Sequence, residues 1–153
     1  MFMRIMAAID GTPDSVAVLA HAIRLARQEK ATLLAVSVLM RVPDTLGPGP
    51  GFGDPVGLAH TLKDRAQAAL ARAQDLFVLA GVDGQTLIVD AGDRDVPSIL
   101  LEEGRRWRAD LLVLGNHTRD GLDRLLLGST TEACLRNADI PVLVVPASQP
   151  THG

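Results

Sequence analysis

The sequence predicts an α/β domain in which a parallel sheet carries helices on both faces. Three observations lead there. Short apolar runs alternate with segments of helical period from one end of the chain to the other. The second of those runs, Thr32 to Leu39, is nearly all apolar, as a parallel strand covered on both faces must be. The length, 153 residues, suits one domain, and a domain of that size buries roughly 70% of its unfolded surface. Right-handed crossovers limit the topologies such a sheet can take.

Arg4 to Ile9 reads as the first strand. Thr12 and Pro13 then supply an N-cap and a proline at the first helical position. Val16, Leu19, Ala20, Ile23 and Ala26 recur at helical spacing as the expected buried stripe, with Arg24, Arg27 and Gln28 outside it. Thr32 to Leu39 is the second strand. Arg41 to Gly57 is dominated by glycine and proline, so a surface loop without regular structure is expected. Such a loop is either an insertion without a role or a flap over a ligand at the strand ends. Leu58, Leu62, Ala66, Ala69, Leu70, Ala73 and Leu76 mark a long helix, and Gly81 is placed to end it. Gln85 to Asp90 is the third strand. Asp95 caps a helix that has Pro97 in its first turn and carries Ile99, Leu100 and Trp107. Leu111 to Leu114 is the fourth strand, Ser129 to Asn137 the last helix, and Pro141 to Val145 the fifth strand. One domain is expected over residues 1–147, with 148–153 a flexible tail.

Composition narrows the function classes. Aromatics are 3% and tyrosine is absent, so the core must be aliphatic. A net charge of −3 argues against a broad nucleic-acid footprint. No apolar run approaches the ~18 residues of a membrane span. The start, MFMRIMAAID, lacks a signal-peptide layout and reads as a strand, so a cytoplasmic protein is the expectation. The single cysteine, Cys134, excludes an internal disulfide. It falls in a helix and reads as a small buried hydrophobe rather than a nucleophile.

Two features converge on the ends of strands one and four. The segment Gly115 to Ser129, GNHTRDGLDRLLLGS, makes a strand end, a glycine turn, a polar loop and a Gly-Ser helix start. Free amides and the dipole at a helix start favour an anion, and Gly128 permits close backbone approach. Ser129, Thr130 and Thr131 add consecutive hydroxyls. Asp10, ending strand one, either orients a metal ion or ribose hydroxyl or closes a local Asx turn. His117 is a lone loop histidine with no carboxylate or second histidine at metal-ligand spacing, and His21, His60 and His152 are scattered. Arg119 and Arg124 either offset phosphate charge or face water.

Other α/β classes fit the residues poorly. Gly11-Thr12-Pro13-Asp14-Ser15 does not supply the GxGxxG of a dinucleotide-binding enzyme, and no GxxxxGK[ST] string exists. Asp90 and Asp10 suit a receiver domain, but Pro146 stands where a receiver needs lysine. Asp10-Gly11-Thr12-Pro13-Asp14-Ser15 only partly matches a pyrophosphatase-type loop.

The Gly115–Ser129 segment resembles the nucleotide-binding signature of the universal stress protein family. That signature is Gly, two residues, Gly, nine residues, Gly, then Ser or Thr. Gly115, Gly128 and Ser129 keep the spacing, and Thr118 stands at the second glycine. The resemblance extends to Ile9-Asp10-Gly11-Thr12, to Ala109 through Gly115 and to Ala138 through Pro146. It implies a three-layer α/β/α, Rossmann-like fold of the adenine nucleotide alpha hydrolase kind, its five parallel strands in the order 3-2-1-4-5. Ligands then bind where the order reverses, between strands one and four.

It further implies ATP, with Mg²⁺ or Mn²⁺, as cofactor. The implied contacts are Asp10, Gly11, Thr12, Val38, Gly115, Asn116, His117, Thr118, Arg119, Gly128, Ser129 and Thr130, with Asp10 also at the metal. Val38 either packs beside the adenine or is a plain core valine. At Thr118, a positive φ would cost a β-branched residue about 1–3 kcal/mol, whereas at a close approach its side chain either clashes with the ligand or donates its hydroxyl to a phosphate. The implied activity is that of an ATP-binding regulatory module in stress response, with slow or no hydrolysis and no catalytic residue. A non-nucleotide scaffold is the alternative, and an enzyme using an adenylated substrate a third reading. Ile140 to Pro146 is an apolar terminal edge strand, open to pairing unless covered, and the resemblance implies a homodimer joined through it.

Overall fold

The computed structural model describes residues 1–42, 55–116 and 128–146. The strands are β1 (Arg4–Ala8), β2 (Thr32–Leu39), β3 (Gly84–Asp90), β4 (Leu111–Gly115) and β5 (Val142–Val145). The helices are α1 (Pro13–Glu29), α2 (Pro55–Ala80), α3 (Val96–Trp107) and α4 (Ser129–Asn137). All strand pairs are parallel and their order is β3-β2-β1-β4-β5, as expected. In register, Arg4 to Ala8 face Thr32 to Val36, and Ile5 to Ala7 face Leu111 to Val113.

Strand side chains alternate between faces, so the sheet builds two cores. Ile5, Ala7, Leu33, Ala35 and Val113 pack with Val18, Ala22, Leu70, Ala73 and Phe77 of α1 and α2. Met6, Leu34, Val36, Leu112 and Leu114 pack with Leu100 of α3 and Cys134 of α4. Helices α1 and α2 thus cover one face, and α3 and α4 the other.

Several expectations need correction. In α1 the buried residues are Ser15, Val18, Leu19, Ala22 and Ala26, while Val16 is 55% exposed and Ala20 is also exposed. The apolar arc of α1 is wider than the sheet covers, and its phase is turned from the expected stripe. Helix α2 starts at Pro55, so Pro55 to Gly57 are helical rather than loop. Residues 43–54 of the expected loop lie outside the described residues, as does the tail. In α2, Ala66, Leu70 and Ala73 are buried as expected, but Leu58 and Leu76 are exposed. Among the described residues the largest fully buried side chain is Phe77. Its ring lies against Gly84, where a Cβ would stand 2.2 Å from Cδ2.

Three helices end alike. After α2, Gly81 at φ +68° donates its N–H to Val78 O, and Val82 N–H reaches Phe77 O. That is the Schellman pattern, which satisfies carbonyls the helix leaves over. After α1 and α3 the same pair of bonds forms at Lys30 (φ +56°) with Ala31 and at Arg108 (φ +61°) with Ala109, without a glycine.

The start of β1 is tied to distant chain. The carboxylate of Asp110 accepts the N–H groups of Met3 (2.8 Å) and Arg4 (3.0 Å). The Arg4 guanidinium lies 4.0 Å over the Trp107 ring and donates from Nε to Trp107 O.

Candidate functional site

The carboxyl ends of β1, β2 and β4 meet where the strand order reverses. At the end of β1, Asp10 Oδ1 accepts the Thr12 N–H (2.9 Å) and the Thr12 hydroxyl (2.6 Å). This is the Asx turn weighed for Asp10 from sequence. Thr12 occupies the N-cap of α1, but its side chain bonds back to Asp10 and makes no cap bond. Asp95, at the N-cap of α3, likewise makes no side-chain cap bond. Gly11 is constrained twice: its φ is +81°, and a Cβ would fall 2.5 Å from Cγ of Arg65 on α2. Val38 is half-buried near the end of β2, on the α3/α4 side.

The β4 end is joined to the start of α4 by two side-chain bonds. Gly115 closes β4, and Asn116 continues its ladder by donating its N–H to Val145 O (3.0 Å). The Asn116 side-chain oxygen accepts the Gly128 N–H at 3.0 Å, across 12 residues of sequence. The Thr131 hydroxyl donates to Gly115 O at 2.8 Å, across 16 residues. Together they fix the first turn of α4 beside the end of β4. Gly128 is the N-cap, and intrahelical bonding begins with Glu132 N–H to Gly128 O. The amides of Ser129, Thr130 and Thr131 therefore have no acceptor within the helix, as in any first turn. Ser129 is exposed, Thr130 half-buried and Thr131 buried. The one acid in this turn, Glu132, pairs with Arg136 at 2.6 Å.

The structure therefore places Asp10, Gly11, Thr12, Val38, Gly115, Asn116, Gly128, Ser129 and Thr130 at the ends of adjacent strands or the helix starts beside them. His117, Thr118 and Arg119 lie outside the described residues. Sequence reasoning missed the pinning roles of Asn116 and Thr131, since a bond across 12 or 16 residues leaves no periodic mark. It also missed a cleft of about 360 Å³ beyond β2, where His60, Lys63 and Asp90 meet Leu39 and Met40.

The donor set bears on what could bind. Among the described residues no three His, Cys, Asp or Glu side chains gather to hold a metal ion. A metal at Asp10 would thus be held chiefly through ligand phosphates, the usual way Mg²⁺ binds. The first-turn amides and two accessible hydroxyls of α4 suit a phosphate, so this part fits the phosphate end of a nucleotide. Cys134 offers no nucleophile: burial, and secondarily the Asp95 charge, push its thiol up to about 11. Among the described residues no helix is long and apolar enough to cross a membrane.

Residues 1–146 match the model of the universal stress protein family. The chain belongs to the universal stress protein family. A universal stress protein of Methanocaldococcus jannaschii is 31% identical over 95% of this chain and 82% of its own. Among solved structures, a universal stress protein family member from Burkholderia pseudomallei is 30% identical, with a TM-score of 0.74 over 94% of this chain and 96% of its own. A universal stress protein solved with cAMP is 24% identical (TM-score 0.68, covering 96% and 98%). One from Arabidopsis thaliana solved with AMP is 16% identical (TM-score 0.69, covering 98% and 97%). At these identities, the last two show a shared universal stress protein fold.

Proposed function

We propose that this universal stress protein binds ATP, with Mg²⁺ or Mn²⁺, between the ends of β1 and β4. It would act as a nucleotide-responsive regulatory module in stress response, with slow or no hydrolysis. One observation carries the reading: Asn116 and Thr131 pin the open first turn of α4 against the end of β4, at the switch point where such sheets take ligands. Gly115, Asn116, Gly128, Ser129 and Thr130 would hold phosphates, and Asp10, Gly11, Thr12 and Val38 the nucleoside and metal side. His117, Thr118 and Arg119 complete the set by their place in the signature. Structural relatives solved with cAMP and AMP support an adenine ligand.

Thr118, at the signature's second glycine, favours a second reading, a scaffold that binds no nucleotide. Calorimetric titration of ATP with Mg²⁺ into ligand-free protein, beside Thr118→Gly, separates them. Micromolar binding by the natural chain is expected. Binding by Thr118→Gly alone would replace the nucleotide reading with the scaffold.

The module would be a dimer joined through β5. This strand is an edge, paired only with β4, and Leu143 on it is 39% exposed. Leu143→Lys should then give a monomer by light scattering; a persisting dimer would place the contact elsewhere.

A further inference from the structure

Helices α1 and α2 lie side by side on one face of the sheet, and the seam between them is not closed. Toward their carboxyl ends it opens into a groove of about 680 Å³. Its walls are Ala20 and Ile23 of α1 and Leu76, Leu79 and Ala80 of α2. Leu79 is 83% exposed. Toward the amino end of α1 the seam continues as a smaller cleft between Val16, Leu19, Ala68 and Ala69. Val16, Ala20, Ile23 and Leu76 are apolar residues whose helical spacing marked them for the core, and the sheet leaves them partly or largely exposed.

Charge says what covers this seam. Arg24 and Arg27 line the groove and Arg65 and Arg72 the smaller cleft, and no Asp or Glu lines either. Among the described residues none of these four arginines makes an ion pair or side-chain hydrogen bond. This stands out in a chain of net charge −3. Elsewhere Arg41, Arg94, Arg105, Arg106 and Arg136 all have carboxylate partners. A second copy packed groove on groove would set these arginines against their own equivalents without an acid between them, a juxtaposition that costs energy. An apolar floor between two helices with cationic walls suits an amphipathic helix bearing carboxylates beside its apolar stripe. From Val16 to Gln28 the seam runs about 18 Å, or a little over three turns of such a helix.

We propose that the α1/α2 seam is a docking site for an acidic amphipathic helix of a partner protein. Apolar side chains at i, i+3, i+4 and i+7 would enter between Ile23 and Leu79, and flanking Glu or Asp would meet Arg24 and Arg27. The main groove lies toward the carboxyl ends of α1 and α2, whereas the smaller cleft reaches Gly11 and Thr12 at the end of β1.

The probe is a labelled sixteen-residue helical peptide with leucines at those spacings and glutamates flanking them, beside a twin with lysines for the glutamates. Fluorescence anisotropy reads binding, and amide chemical shifts of the labelled protein map it. The glutamate peptide is expected to bind at least tenfold more tightly than its twin and to shift resonances of α1 and α2. Arg24→Glu with Arg27→Glu should reverse that preference. Leu79→Glu, at a position too exposed to threaten the fold, should weaken binding at least tenfold. The proposal is overturned by equal binding of the two peptides, by binding of neither, or by shifts confined to the strand ends. Self-association abolished by Leu79→Glu would overturn it in favour of a second copy of the chain.

Discussion

Replacing Thr131 with valine removes one hydroxyl and nothing of the shape. The residue is 3% exposed and its Oγ1 lies 2.8 Å from Gly115 O. Losing the bond and leaving the half-buried carbonyl short of a partner costs about 1–2 kcal/mol. In a domain of this size each kcal/mol moves the melting temperature about 2–4 °C, so a fall of about 2–8 °C is expected. Thr131→Ser gives the control. It keeps the hydroxyl and loses a methyl, about 0.8 kcal/mol of burial, so it also melts lower. Stability alone cannot separate the two variants, but nucleotide binding can. If the pin holds the first turn of α4 for a phosphate, valine should weaken AMP or ATP binding about five- to tenfold, near 1 kcal/mol, and serine should leave it nearly unchanged. Titration calorimetry at matched temperature, well below either melting point, makes the comparison. Equal affinities for the valine and serine variants would refute the positioning role and reduce Thr131 to a packing residue.

Lys30→Gly and Arg108→Gly should each stabilise the fold by about 0.5–1 kcal/mol. A left-handed residue with a side chain costs about 1–2 kcal/mol, partly offset by the unfolded-state freedom of glycine; urea midpoints measure the difference, and no gain at either site would show that these helix ends carry no strain. Cys134 makes stability depend on alkaline pH. Its thiol is raised to about 11 in the fold from its ordinary value of 9.0, so the contribution is intact below pH 9 and is lost as pH rises toward 11, where the unfolded chain releases its proton first. The urea midpoint should fall more steeply over that window in the natural chain than in Cys134→Ala, and parallel slopes would contradict it.

The architecture was legible because each strand is a short apolar run and each helix a periodic segment, and the same alternation gave the layers. The phase of the helices was harder to read. Alanine-rich α1 offers two overlapping apolar stripes, and only contact with the sheet selects Val18 and Ala22 over Val16 and Ala20. In α2 the run Leu76-Phe77-Val78-Leu79 is apolar all round, so its period does not point to Phe77, which the space above Gly84 admits. At the site, the residue types and their places at strand ends were readable. The Asx turn at Asp10 was visible as a local alternative because it spans two residues. The links from Asn116 to Gly128 and from Thr131 to Gly115 were not, because they depend on where a later helix returns to the sheet.

The position of β1 has a consequence for how the protein is made. The strand β1 comes before the other four described strands and becomes the middle of the sheet, and one of its two neighbours, with the Asp110 clamp on Met3 and Arg4, lies more than a hundred residues downstream. At translation rates of about 5–20 residues per second, the nascent chain spends about 4–15 seconds with β2 available to β1 and the other side unpaired. An apolar strand with an open hydrogen-bonding edge is a template for wrong partners. That interval of synthesis, rather than the finished domain, is therefore when the edge of β1 stands open to such pairing.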